Sequence, residues 1–306
     1  MERIKQALEK AREDRLRNGL SSGSGGLQPT VTPVTQIIYS QTRTQQVQKH
    51  ILREQRVLVG QNTTVSASAY GILRTQVLQR LGEHGWNALA ITSPGSNDGK
   101  TLTAINLAIS LAQEVTYTVL LVDANLRQPS VHTYFGFTQE RGLSDYLTGD
   151  IPLSSLLINP AGIERLVILP GGTPLDNSSE MLNSPKMKQL VEELKERYRS
   201  RVVIFDLPPL LSSSDALAFS PYVDAVLLVL EDGKTSIEEI RTATELLQNT
   251  QVIGTVLNKS RRVTRQNLDS EEWMESKLHA LHSGKHISGA REKLRKLMLR
   301  FRKGKA

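Results

Sequence analysis

The 306-residue chain has no cysteine. That excludes disulfides, zinc–thiolate centres and cysteine nucleophiles, and agrees with a reducing compartment. It has no apolar run long enough for a membrane span, and its basic N-terminus lacks the apolar core of a signal peptide. The expected location is therefore cytoplasmic, with any membrane association peripheral. No tyrosine follows Tyr222, which leaves the last 84 residues without one. Net positive charge is also missing from most of the chain. Residues 261–306 hold 13 Lys/Arg against 5 Asp/Glu, a surplus of +8, and the whole chain is +7, so residues 1–260 carry −1. A near-neutral body with a basic tail points to a tethering segment, and no base-reading motif suggests a specific nucleic-acid partner.

What is present is a phosphate-loop pattern. Thr92-Ser93-Pro94-Gly95-Ser96-Asn97-Asp98-Gly99-Lys100-Thr101 follows an apolar, strand-like run (86–91) and opens a helix-like one (102–112). At such a junction, backbone N–H groups and a helix N-terminus cradle phosphates, a lysine reaches the β/γ-phosphates, and a Thr hydroxyl ligates Mg²⁺. Ser96, Asn97, Asp98, Gly99, Lys100, Thr101 and Leu102 are the candidate nucleotide contacts. Pro94 stands where the usual pattern has its first glycine, and Asn97 tolerates left-handed backbone better than most residues.

Along the chain, residues 1–18 read as a short amphipathic helix and 19–65 as a polar linker. Residues 66–260 read as the globular domain and 261–306 as a basic tail. Strands are expected at 86–92, 118–123, 165–169, 201–206, 224–230 and 251–257, and helices at 66–81, 100–114, 184–199 and 235–248. Runs such as Val119-Leu120-Leu121-Val122 and Val202-Val203-Ile204-Phe205 are apolar throughout, as parallel strands covered on both faces are. The alternation predicts an α/β, doubly wound, mostly parallel sheet with its ligand at the carboxyl ends of the strands. Asp123 and Asp206 each close one of these runs, so both carboxylates are candidates to face the phosphate loop and its metal.

Further segments carry a family resemblance. They are Leu120-Leu121-Val122-Asp123-Ala124-Asn125-Leu126-Arg127-Gln128-Pro129, Arg141-Gly142-Leu143-Ser144-Asp145-Tyr146-Leu147, Leu169-Pro170-Gly171-Gly172, Ile204-Phe205-Asp206-Leu207-Pro208-Pro209 and Gly254-Thr255-Val256-Leu257-Asn258. In this order, over about residues 66–260, the chain resembles the bacterial tyrosine kinases of capsule and exopolysaccharide loci, within the deviant P-loop ATPases. Its opening residues resemble those of kinases associated with exosortase-type loci. The resemblance implies ATP and Mg²⁺ as cofactors, Lys100 and Thr101 on the nucleotide, and Asp123 by the metal and the incoming tyrosine. It also implies Asp206 on the metal shell, Arg127 as a second-motif arginine and Asn258 near the adenine. A membrane polysaccharide co-polymerase of the chain-length-determinant type, met at the inner face of the cytoplasmic membrane, and a homo-oligomer are the implied partners.

Three departures bear on activity. Asn125 stands where the family has a second aspartate. Of the usual Glu-x-x-Arg-x-x-Arg, the chain keeps only Arg74, with Ser68 and Gly71 at the other positions. The C-terminal tyrosine cluster is missing. Two other readings stay open: an ATP-binding scaffold without phosphotransfer, and a partitioning-type ATPase, against which Gly95 replaces that branch's extra lysine. In the tail, Ile287, Leu294, Leu297, Met298 and Phe301 alternate with basic residues, a pattern suited to an anionic membrane surface or to packing on the domain.

Overall fold

The apolar runs become the centre of one sheet, because strands buried on both faces need apolar side chains on both. The computed structural model describes residues 42–60, 64–138, 141–196 and 200–260. The strands are β1 (Arg43–Gln45), β2 (Ala88–Thr92), β3 (Thr118–Asp123), β4 (Ile158–Pro160), β5 (Leu166–Leu169), β6 (Arg201–Asp206), β7 (Ala225–Glu231) and β8 (Val252–Asn258). The helices are α1 (Lys49–Glu54), α2 (Val65–His84), α3 (Lys100–Ala112), α4 (Val131–Tyr134), α5 (Leu143–Thr148), α6 (Ser178–Leu182), α7 (Pro185–Glu196), α8 (Asp215–Phe219) and α9 (Ile237–Leu246). The sheet order is β1-β4-β5-β3-β6-β2-β7-β8. Neighbouring strands run parallel except β4 and β5.

Side-chain alternation sorts the central strands onto two cores. Leu89, Ile91, Val119, Leu121, Val202 and Ile204 face the layer containing α3. Ala88, Ala90, Leu120, Val122, Val203 and Phe205 face the layer containing Leu190 and Leu194 of α7. Helix α3 is apolar nearly all round and is buried along its length, so it lies against the sheet, with α2 packed on it. Helix α2 is started by Thr64, whose hydroxyl accepts from Ala67 N (3.1 Å), and stopped by Gly85 in left-handed backbone (φ 70°).

The expected domain start near residue 66 needs correcting. Residues 43–45 pair with β4, and Leu52 and Val57 are buried in the core, so part of the expected 19–65 linker belongs to the fold. Asn106 holds this stretch: its Oδ1 accepts from Leu58 N (2.9 Å) and its Nδ2 donates to Arg56 O (3.2 Å). The expected N-terminal helix and the basic tail lie outside the described residues. Among the described residues, no helix is long and apolar enough to cross a membrane.

Candidate active site

Parallel pairing brings the carboxyl ends of β2, β3 and β6 together. The register sets Asp123 directly against Asp206 and Ile91 against Asp206, so the loop leaving β2 rises beside two aspartates. That loop then turns sharply. Asn97 (φ 65°) and Gly99 (φ 93°) are left-handed, and a Cβ at Gly99 would collide with Asn258 Nδ2, so only glycine fits there. The loop is closed from inside: buried Asp98 accepts from Gly95 N through Oδ2 (3.0 Å), and Ser93 Oγ donates to Gly95 O (2.6 Å). Burial raises the Asp98 carboxyl above its ordinary pKa. Ser96 and Asn97 are exposed at the loop tip, and Lys100 and Leu102 are half-buried in the first turn of α3.

Thr101 Oγ1 donates to Asp206 Oδ2 at 2.7 Å. The other oxygen, Asp206 Oδ1, is buried without a hydrogen-bond partner. A buried carboxylate oxygen in that condition is costly unless a ligand completes it. Asp123 is equally buried, and its two oxygens differ. Oδ2 accepts from Ser130 N (2.8 Å) and Val131 N (2.9 Å), at the start of α4, whereas Oδ1 accepts only a long bond from Asn125 N (3.3 Å). Burial, with Asp206 beside it, pushes the Asp123 carboxyl up to about 7. Burial also raises Asp206, to about 6, against the lowering effect of Lys100 and the Thr101 hydroxyl.

This donor set fits Mg²⁺. A hydroxyl and two carboxylates are hard oxygen ligands, the unpartnered Asp206 Oδ1 has capacity, and a nearby cation would offset the crowding of two acidic groups. Among the described residues there is no group of three or more His, Cys, Asp or Glu that could hold a metal alone, so phosphate oxygens and water would have to complete the shell.

The other predicted residues fall in different places. Arg127 is exposed and its Nε pairs at 3.5 Å with Asp215 Oδ1 at the start of α8. Asn258, closing β8, donates from Nδ2 to Asp98 O (2.8 Å) and so touches the loop directly. Arg74 is turned onto its own fold, with Nε 3.0 Å from Glu114 Oε1 and Nη1 donating to Ser110 O (3.1 Å).

The two glycine-rich segments buttress the site. Leu143 N donates to Pro170 O (2.8 Å) and Ser144 N to Gly171 O (2.9 Å), and a Cβ at Gly171 would press on Pro129 and on Asp123 Cγ (3.2 Å). Sequence reasoning missed two residues. Lys259 Nζ donates to Asn97 O (2.6 Å), and Tyr134 is half-buried with its hydroxyl pKa raised by burial and by the charge of Asp206. For Lys259 the signal was an Asn-Lys pair at a strand end; for Tyr134 there was none, since only the tertiary fold turns α4 toward Asp206.

Comparison with known proteins identifies relatives of this fold. The family described as the CobQ/CobB/MinD/ParA nucleotide binding domain matches residues 89–289. The tyrosine-protein kinase YwqD of Bacillus subtilis is 32% identical over 206 residues, covering 64% of this chain and 81% of that protein. The tyrosine-protein kinase etk of Escherichia coli is 33% identical over 216 residues, covering 69% of this chain but only 29% of that longer protein. The solved kinase domain of the Escherichia coli tyrosine kinase ETK superposes with a TM-score of 0.58 at 30% identity, covering 65% of this chain and 78% of the other.

Proposed function

Since the chain belongs to the bacterial tyrosine-protein kinases within the CobQ/CobB/MinD/ParA nucleotide-binding family, we propose that it transfers the γ-phosphoryl group of ATP to a tyrosine hydroxyl at the Asp123–Asp206 edge. The observation that carries this reading is the Thr101–Asp206 bond, with its unpartnered carboxylate oxygen, beside a second buried carboxylate.

In this reading the loop N–H groups and Lys100 hold the β- and γ-phosphates, and Thr101 and Asp206 would hold Mg²⁺. The cation held there would supply positive charge to offset the charge that develops during transfer. The acceptor tyrosine Oη forms a bond to the γ-phosphorus as the bond to the bridging oxygen breaks, leaving ADP. The phenolic proton passes to Asp123 Oδ1, the oxygen with a single long hydrogen bond; Oδ2 stays fixed by the α4 N–H groups. Arg127, whose Nε is paired with Asp215, belongs to the same proposal as a second-motif arginine. Asn258 lies at the loop, where an adenine contact is part of the same proposal.

The physiological setting proposed is exopolysaccharide or capsule polymerisation and export, at the inner membrane face with a membrane co-polymerase. The basic segment 261–306 is suited to docking there. A homo-oligomer belongs to the same proposal. Asn125 favours a second reading, an ATP-bound scaffold with little phosphotransfer, because it removes one carboxylate from the family's second motif.

The test is incubation with ATP and Mg²⁺, with and without a co-polymerase juxtamembrane peptide, followed by phosphotyrosine mapping by mass spectrometry. Phosphotyrosine that disappears in Lys100→Met supports the kinase. ATP binding with no phosphotyrosine in either condition supports the scaffold.

A further inference from the structure

Two consecutive carbonyls of the phosphate loop are tied to two consecutive side chains at the end of β8. Asn258 Nδ2 donates to Asp98 O at 2.8 Å, and Lys259 Nζ donates to Asn97 O at 2.6 Å. The Lys259 ammonium is itself held from behind by Glu231 Oε2 at 3.0 Å, at the end of β7. That same carboxylate oxygen accepts from Lys234 Nζ at 3.2 Å. Both ends of the Lys259 contact sit in left-handed backbone, Asn97 at φ 65° and Lys259 at φ 57°. Neither is glycine, so each conformation persists only because its surroundings support it.

The planar trans peptide gives this tie a consequence. Within one peptide unit the C=O of residue i and the N–H of residue i+1 point in opposite directions. Fixing the carbonyls of Asn97 and Asp98 outward, onto Lys259 and Asn258, therefore fixes the N–H groups of Asp98 and Gly99 toward the other side of the loop. Those are the donors a phosphate loop presents to its ligand. Sequence position alone gives Lys259 no such role, because it lies 162 residues from Asn97.

We infer that Lys259 is a positioning residue for nucleotide binding: braced by Glu231, it pre-orients the phosphate-binding N–H groups of the loop without touching the nucleotide. The inference rests on the reading of this edge as an ATP site. It differs from that reading in assigning part of the affinity to a cation outside the motif.

The experiment is calorimetric titration of the full chain with Mg²⁺ and ATP, alongside thermal melting without nucleotide. Lys259→Met keeps the length of the side chain and removes its charge. It should weaken ATP binding about tenfold, the scale of losing a hydrogen bond from a charged donor. Nucleotide-free melting should stay within about 2 °C of the parent, as for a partly exposed substitution. Glu231→Gln should weaken binding in the same direction. The double variant should lose no more than Lys259→Met alone, since both act through one contact. Affinity within twofold of the parent in Lys259→Met would overturn the inference, as would a loss that tracks a falling nucleotide-free melting temperature. A parent chain that binds no ATP would instead overturn the reading of the site itself, and the role of Lys259 with it.

Discussion

Thr101 Oγ1 and Asp206 Oδ2 lie 2.7 Å apart, joining the first turn of the loop helix to the end of the neighbouring strand. The hydroxyl proton is committed to the carboxylate, which leaves the threonine oxygen lone pairs free for a cation. Thr101→Ser should retain Mg²⁺-dependent ATP binding, whereas Thr101→Val should weaken it about tenfold or more. Titrations in Mg²⁺ and in EDTA check this, because Thr101→Val should resemble the parent once the metal is removed.

The two buried aspartates make the nucleotide-free protein sensitive to pH. Their folded pKa values are raised from the ordinary 3.8, to about 7 for Asp123 and about 6 for Asp206. Between about pH 4 and 7 the folded chain holds protons that the unfolded chain releases. The stability this gives is complete below about pH 4 and is lost as pH rises through those folded values. Lys100 and Tyr134 are the other titratable groups facing Asp206. Without nucleotide, Asp206→Asn should melt above the parent at pH 8, with the difference shrinking toward pH 5. A difference that does not change with pH would contradict the assignment.

Gly171 should be intolerant of substitution. A Cβ there meets the Pro129 side chain and approaches Asp123 Cγ to 3.2 Å, with little freedom in either neighbour. Gly171→Ala should cost about 1–3 kcal/mol of stability by overpacking, read from urea denaturation. It should also lower kcat more than ATP affinity, because the pressure falls on Asp123 rather than on the loop.

Asn125→Asp should restore the family's second carboxylate. Asn125 is buried two residues beyond Asp123, and its backbone N–H reaches Asp123 Oδ1 at 3.3 Å, so the variant adds a charge to the same short segment as the proposed base. Steady-state phosphorylation should rise about tenfold. Nucleotide-free melting at pH 8 should fall, since a third acidic group joins a buried pair.

The sequence carried the middle of this molecule and its β8 edge well, and the β1 edge poorly. Five strands announced themselves because strands covered on both faces must be apolar throughout, as Val119–Val122 and Val202–Phe205 are, whereas the edge strand β8 was legible from its β-branched residues. Strand β1 did not, because Arg43-Thr44-Gln45 is a three-residue edge strand with two exposed side chains and no apolar run. The short helices α4, α5, α6 and α8 span four to six residues, too few for a periodic pattern, and owe their form to tertiary contacts. In the site, Lys100, Thr101, Asp123 and Asp206 were legible because motif and strand end coincide. The contacts of Lys259 with Asn97 and of Arg127 with Asp215 were not, since each depends on a long-range pairing that spacing does not encode.

The most direct measurement is to follow ADP and phosphotyrosine in one reaction with ATP, Mg²⁺ and co-polymerase juxtamembrane peptide. The account predicts that the two products form in roughly equal amounts and that both vanish in Lys100→Met. ADP accumulating without phosphotyrosine would contradict it and leave an ATPase in its place.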